Sequence, residues 1–283
     1  GKDTRQSGDM LEAALTAGLC SVGADVESLG VVPTPAVAYL VRKYNADAGV
    51  VISASHNPME FNGLKLFAGT GYKLPDEGEN EIEAYIDNQC AGLKLATGDD
   101  VGRVTCRTDG IKDYTDHLYE SINGDLSGLN ICIDCANGAS AAAARQLFPR
   151  LGAKCTFIGV EPDGKNINAG VGSTHLDNLE KAVVEGGFDC GIAFDGDADR
   201  CLACDEKGQE IDGDKIIALL AMNMKEKGCL DGNTAVVTVM SNLGFIKFME
   251  SQGIRTEKTA VGDRYVLENM RENGYAIGGE QSG

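Results

Sequence analysis

LNICID (129–134), ASAAAARQLF (139–148) and KCTFIGV (154–160) follow one another with only short breaks. The first and third are apolar runs of strand length, and the second has the length and Ala content of a helix. Strand, helix and strand in so short a span predict a parallel crossover unit, the building block of an α/β domain.

The same alternation extends both ways. Upstream, Ser7 is placed to cap a helix with Leu11, Leu15, Leu19 and Val22 on one face, stopped by Gly23. Val26–Val32 reads as a strand closed by Pro33-Thr34-Pro35, Ala36–Tyr44 as a helix, and Ala48–Ile52 as a buried strand. Phe61–Phe67 is a further extended run. Pro75–Asn88 is an acidic amphipathic helix, and Ile111–Ile122 a helix broken at Asn123-Gly124-Asp125. Downstream come helix Leu176–Val184, strand Cys190–Phe194, extended run Cys201–Asp205 and helix Asp212–Lys225. After Gly228 a third series runs: strand Ala235–Met240, helix Leu243–Glu250, strand Ile254–Lys258, helix Arg264–Arg271 and strand Tyr275–Gly278. Three similar α/β domains are expected, over 1–123, 124–228 and 229–283. Ligands of such folds gather at loops beyond the carboxyl ends of strands.

Composition narrows the partners. The chain has 283 residues, 43% hydrophobic, with 37 Gly, enough for several cores joined by many tight turns. With 43 acids against 25 bases the net charge is −18, and no basic run stands out, which argues against nucleic acid. A small phosphorylated metabolite needs only a few local cations and backbone N–H groups. Ten cysteines include the pairs Cys132/Cys135 and Cys201/Cys204. Both pairs lie in strand-like runs, where residues three apart face opposite ways, so they read as core thiols of a reducing cytoplasm and not as a zinc site. No apolar run of membrane-spanning length and no signal peptide appears, so a cytoplasmic protein is expected. Gly1-Lys2-Asp3-Thr4-Arg5 reads like a strand end entering a loop, and Gly278–Gly283 stops inside a loop, so a fragment is expected.

Two loops after strands could carry chemistry. Ser53-Ala54-Ser55-His56-Asn57-Pro58 is by composition a turn. It also offers a hydroxyl beside His56, with Lys65 shortly after, as a nucleophile or phosphate carrier would need. Asp195-Gly196-Asp197-Ala198-Asp199-Arg200 sets three carboxylates on alternate positions. Crowded carboxylates need a cation, and oxygen ligands suit Mg²⁺ or Ca²⁺; a solvated acidic turn is the plainer reading. An EF-hand fails because Arg200 stands where Gly is required. An aspartyl phosphatase of the haloacid dehalogenase type is disfavoured by Asp199. Gly279–Gly283 and Val261–Tyr265 say little alone.

Together and in this order, Ser53–Pro58, Asp195–Arg200 and Gly279–Gly283 resemble the serine, metal and sugar-recognition loops of the alpha-D-phosphohexomutase superfamily. The likeness runs along the whole chain, through Gly1–Gly8, Asp134–Gly138 and Met240–Gly244. Glu280-Gln281-Ser282, Gly262–Val266 and Glu161–Gly164 resemble its phosphoglucosamine mutase branch; phosphomannomutases and phosphoglucomutases share the chemistry. One departure is Ala198, where many members have Gly, which suggests that no positive φ is required there.

The resemblance implies three-layer α/β/α domains with mixed, mostly parallel sheets around a shared cleft. It implies most of domain one, without its first strand region, then domain two, part of domain three, and no phosphate-binding fourth domain. The implied activity interconverts glucosamine 6-phosphate and glucosamine 1-phosphate through a phosphoserine and a hexosamine 1,6-bisphosphate, which is also the activator. Ser55 would carry the phosphoryl group, and Ser55, Asp195, Asp197 and Asp199 would hold Mg²⁺. Arg5, His56 and Arg200 would add positive charge. Lys65 would be the general base, its pKa lowered by neighbouring cations. Glu280, Ser282, Asp263 and Arg264 would bind the sugar. The implied partner is a small phosphosugar, with no nucleic acid or membrane and a homodimer left open. The product would feed bacterial peptidoglycan precursors. Two rivals are an incompetent phosphosugar-binding fragment and a phosphatase with an Asp nucleophile.

Overall fold

The computed structural model describes residues 1–122 and 124–283; Asn123, part of the expected helix break and the expected first boundary, lies outside the described residues. The first unit contains α1 (Ser7–Ser21), β1 (Val26–Ser28), α2 (Thr34–Lys43), β2 (Ala48–Ile52), β3 (Leu64–Ala68), α3 (Asp76–Asp87), β4 (Val104–Cys106) and α4 (Gly110–Ser121). β1 pairs with β4 in parallel, and β2 with β3 antiparallel. Lys2 bridges both Val31 and Ile52, so the opening residues lie between the two pairs. The Pro33-Thr34-Pro35 stretch starts α2 as well as ending the preceding run, because proline suits the first helical turn. That helix buries Ala36, Val37, Leu40 and Val41 against Val51, Phe67 and Tyr114.

The second unit contains β5 (Asn130–Asp134), α5 (Ala141–Arg150), β6 (Lys154–Ile158), α6 (Asp177–Gly186), β7 (Cys190–Phe194), β8 (Cys201–Asp205) and β9 (Glu210–Ile211). Its sheet runs β6-β5-β7-β8-β9, with β5 parallel to β6 and β7, and β8 and β9 antiparallel. The strand period of two sorts the side chains. Ile131 and Ile133 pack with Ala144 and Phe148, while Cys132 and Ala193 pack with Leu179 and Val183. Cys135 belongs to the first of these cores and Cys132 to the second, so the two thiols face different layers.

The third unit contains α7 (Gly213–Glu226), β10 (Thr234–Thr238), α8 (Leu243–Ser251), β11 (Arg255–Thr259) and α9 (Asp263–Asn273). β10 and β11 are parallel, and the strand expected at Tyr275–Gly278 narrows to a bridge from Gly278 to Val236. Ile217, Ala218 and Ala221 of α7 pack with Val237, Phe245 and Met249, so α7 joins the third core, ahead of the boundary expected at 228. Two further expectations shift. Ser7 is the first residue of α1 and not its cap; its hydroxyl accepts from Asn62 Nδ2 at 2.9 Å instead. Val22 lies past the helix and is exposed, because Leu11, Leu15 and Leu19 already complete the half-buried stripe. Among the described residues no helix is long and apolar enough to cross a membrane.

Candidate functional site

β2 delivers Ser55 to a turn in which its φ is +52°, a left-handed conformation that costs a non-glycine residue about 1–2 kcal/mol. Arg5 holds it there. Its Nε donates to Asp3 Oδ2 at 2.8 Å. Nη1 donates to the Pro58 and Phe61 carbonyls, and Nη2 to the Ser55 carbonyl at 3.0 Å and the Asn57 carbonyl at 2.7 Å. A guanidinium has five N–H donors, and all five are used. Arg5 was expected to meet the phosphate. It is instead 2% exposed with no donor left over, and it positions the loop. Asp3 and Ser53 complete the staple: Ser53 Oγ donates to Asp3 Oδ2 at 2.6 Å and accepts from the Ser55 N–H at 2.9 Å. Burial raises the Asp3 pKa, opposed by its bonds from Ser53 and Arg5. Asn168 of the second unit adds an Nδ2 bond to the Ser55 carbonyl at 2.9 Å.

The turn between β7 and β8 brings the three aspartates to this serine. Ser55 Oγ donates to Asp195 Oδ2 at 2.6 Å and reaches Asp199 Oδ1 at 3.4 Å. Thr34, at the start of α2, donates from its hydroxyl to Asp197 Oδ2 at 2.5 Å and from its backbone N–H to the Asp197 carbonyl at 2.8 Å. Asp195, Asp197 and Asp199 each offer an oxygen within 4.8 Å of the others, and the first two are fully buried. Burial, then repulsion from Asp197 and Asp199, pushes the Asp195 pKa up to about 7. The buried Asp197 Oδ1 has no partner among the described residues. Converging hard oxygens short of positive charge fit a divalent cation such as Mg²⁺.

Two expectations are corrected here. Lys65 was expected among cations with a lowered pKa. Its Nζ instead lies 2.5 Å from Asp197 Oδ2 and 2.6 Å from Asp199 Oδ2. Burial works to lower its pKa, but the two carboxylates outweigh burial and raise it. Ala198 was expected to need no positive φ, yet it sits at +55°, because the turn closes with its N–H on the Asp195 carbonyl at 3.1 Å.

The remaining expected residues divide. His56 borders a cavity of about 430 Å³ with Lys165, Asn168 and His175; its buried Nδ1 has no partner among the described residues, and burial, then Arg200, lowers its pKa. Among the described residues the Arg200 side chain forms no ion pair, while its backbone N–H donates to Asp195 Oδ1 at 3.2 Å. Glu280 Oε1 accepts from the Gly262 N–H at 3.0 Å, and the Gly213 N–H donates to the Gln281 carbonyl at 2.9 Å. Gly283 lies against Cys201, the first residue of β8, so this loop adjoins the aspartate turn. Ser282 is exposed. Asp263 and Arg264 pair with Lys73 and Asp76 of the first unit. Sequence reasoning missed Thr34 and Asn168, which carry no motif of their own, and gave no role to Asp3 or Ser53, though both lie in segments that carry the resemblance.

Residues 1–91, 112–208 and 212–283 match, in order, alpha/beta/alpha domains I, II and III of phosphoglucomutase/phosphomannomutase. Over its whole length the chain is 57% identical to the phosphoglucosamine mutase of Clostridium tetani and 56% identical to that of Acetivibrio thermocellus, covering 63% of each. A phosphoglucomutase/phosphomannomutase family protein from Burkholderia thailandensis superposes with a TM-score of 0.83 at 25% identity, covering 100% of this chain and 62% of that one. The chain thus spans less than two thirds of the length of the relatives it matches.

Proposed function

This chain belongs to the phosphoglucomutase/phosphomannomutase family, and we propose that it carries the phosphoserine and metal machinery of an enzyme interconverting glucosamine 6-phosphate and glucosamine 1-phosphate. The carrying observation is the 2.6 Å bond from Ser55 Oγ to Asp195 within the three-aspartate cluster. The 57% identity to a phosphoglucosamine mutase supports this branch of the family.

Phospho-Ser55 meets O1 of glucosamine 6-phosphate. The O1–P bond forms as the Ser55 Oγ–P bond breaks; O1 loses its proton and Oγ recovers one. The 1,6-bisphosphate reorients in the cleft, its 6-phosphoryl group returns to Ser55, and glucosamine 1-phosphate leaves. Arg5 fixes the Ser55 carbonyl, so the hydroxyl is aimed before substrate arrives. Asp195, Asp197, Asp199 and the Ser55 phosphate would hold Mg²⁺, which when bound offsets charge on the phosphoryl oxygens. Lys65, paired with Asp197 and Asp199, acts first as a fixed positive charge, and it serves as a base only once those contacts part. Glu280 and Ser282 contact sugar hydroxyls in both orientations. A cytoplasmic, bacterial role in supplying cell-wall precursors belongs to the same proposal.

The test is a coupled assay on the longer gene product with glucosamine, mannose and glucose 6-phosphates. Glucosamine 6-phosphate should give the largest kcat/KM and Ser55→Ala no turnover. A larger kcat/KM for mannose or glucose overturns the sugar assignment, and turnover by Ser55→Ala overturns the mechanism.

A further inference from the structure

Among the described residues, polar contact between the first and third units lies in one seam. Lys73 Nζ lies 2.6 and 2.7 Å from the two carboxylate oxygens of Asp263, and Arg264 Nη1 binds Asp76. The Arg271 guanidinium lies 3.9 Å over the Tyr72 ring. Among the described residues, no other hydrogen bond or ion pair joins residues 1–122 to residues 234–283.

Each side of the seam is tied through the backbone to a part of the site. The Leu74 N–H donates to the Leu66 carbonyl at 2.9 Å, and Lys73 bridges Phe67, so Tyr72–Leu74 is fixed to β3, the strand of Lys65. On the other side Gly262, the neighbour of Asp263, donates its N–H to Glu280. We propose that Tyr72, Lys73 and Asp76 form a clasp with Arg271, Asp263 and Arg264 that sets the Glu280 loop against the Lys65 strand when a phosphorylated sugar lies between them. Lys73 and Asp263 are then positioning residues for Glu280. The role rests on the reading of Glu280 as a sugar contact.

The chemistry of the seam suits a reversible closure. Asp263 and Asp76 side chains are 66% and 72% exposed. Ion pairs this open hold weakly and are screened by salt. An apolar seam would fix the cleft at one width, whereas two partly exposed ion pairs and one cation–π contact let it part for entry and close again.

Zero-length carbodiimide coupling reads the clasp directly, because it joins Lys and Asp side chains in contact. In this chain, mass spectrometry should find a Lys73–Asp263 cross-link. Its yield should rise up to about five-fold with glucosamine 6-phosphate, the ratio that one exposed contact can supply, and fall in roughly 0.5 M NaCl. Lys73→Asp should abolish it, and Lys73→Asp with Asp263→Lys should restore a link between the exchanged side chains. In the longer enzyme, Lys73→Asp should raise KM more than it lowers kcat, with recovery in the double exchange. No cross-link under any condition overturns the clasp. A cross-link indifferent to glucosamine 6-phosphate marks a static seam and overturns the positioning role, leaving phosphoryl transfer at Ser55 intact. A sugar-responsive cross-link in a chain whose Ser55 takes no phosphate supports the clasp and removes the mutase reading.

Discussion

Arg5 Nη2 donates to the Ser55 carbonyl at 3.0 Å, and the other four N–H groups of the same guanidinium bind Asp3 and three more carbonyls of or near the serine loop. A left-handed serine between a cation and a carboxylate cluster is thus held from behind, which leaves its hydroxyl face free for chemistry.

Lysine cannot reproduce that fork. Arg5→Lys keeps the charge but leaves carbonyls and Asp3 short of donors in a buried site, where a broken ion pair costs about 3–5 kcal/mol. Urea unfolding should show a loss of at least about 2 kcal/mol, together with reduced Ser55 phosphorylation. Wild-type stability in Arg5→Lys would show that the buried network is not what holds the loop.

Asp197 shares its Oδ2 between Thr34 and Lys65, and its Oδ1 has no partner among the described residues. Asp197→Asn should weaken Mg²⁺ binding in calorimetry by more than about 10-fold, the effect that loss of an outer-sphere partner alone can have. Unchanged affinity would place the metal elsewhere.

Asp195 gives the chain a pH signature. Its folded pKa of about 7 lies above that of an unfolded aspartate near 4, so the folded state favours the protonated carboxyl. Its contribution is fully present below pH ~4 and is lost as pH rises through about 7, by a few kcal/mol at most. In EDTA, Tm should fall between about pH 4 and 7, and Asp195→Asn should flatten that fall. Equal slopes would mean that the crowding of the three carboxylates is relieved some other way.

Ala198 at φ +55° is strained, and glycine relieves the strain while adding freedom to the unfolded chain. Ala198→Gly should therefore stabilise the protein by about 0.5–1 kcal/mol, read as a shift in the urea midpoint. A destabilised Ala198→Gly would mean that the methyl group packs usefully in the turn.

Much of this was legible in the sequence where one residue type at one spacing forces one geometry. The apolar runs around 131 and 192 became central strands of the second sheet, and the run around 236 a buried strand between β11 and the Gly278 bridge, because short β-branched and apolar runs suit strands covered on both faces. Ser55 and the alternating aspartates were visible because their loops follow strands, and the three loops together carried the family. What stayed hidden depends on contacts between distant segments. Arg5 looked like a phosphate ligand because nothing local shows that the Ser55, Asn57, Pro58 and Phe61 carbonyls converge on it. Lys65 looked like a base because its partners lie over a hundred residues away. α7 looked like the end of the second unit because an amphipathic helix does not announce which sheet it will cover.

The most direct test of the central claim is phosphate occupancy of the Ser55 peptide by mass spectrometry, after incubating this chain with Mg²⁺ and glucosamine 1,6-bisphosphate. Ser55 as the phosphoryl carrier predicts an added phosphate on that peptide, and none on the matching peptide of Ser55→Ala. Phosphate on another residue, or none on Ser55 in either this chain or the longer gene product, would contradict it.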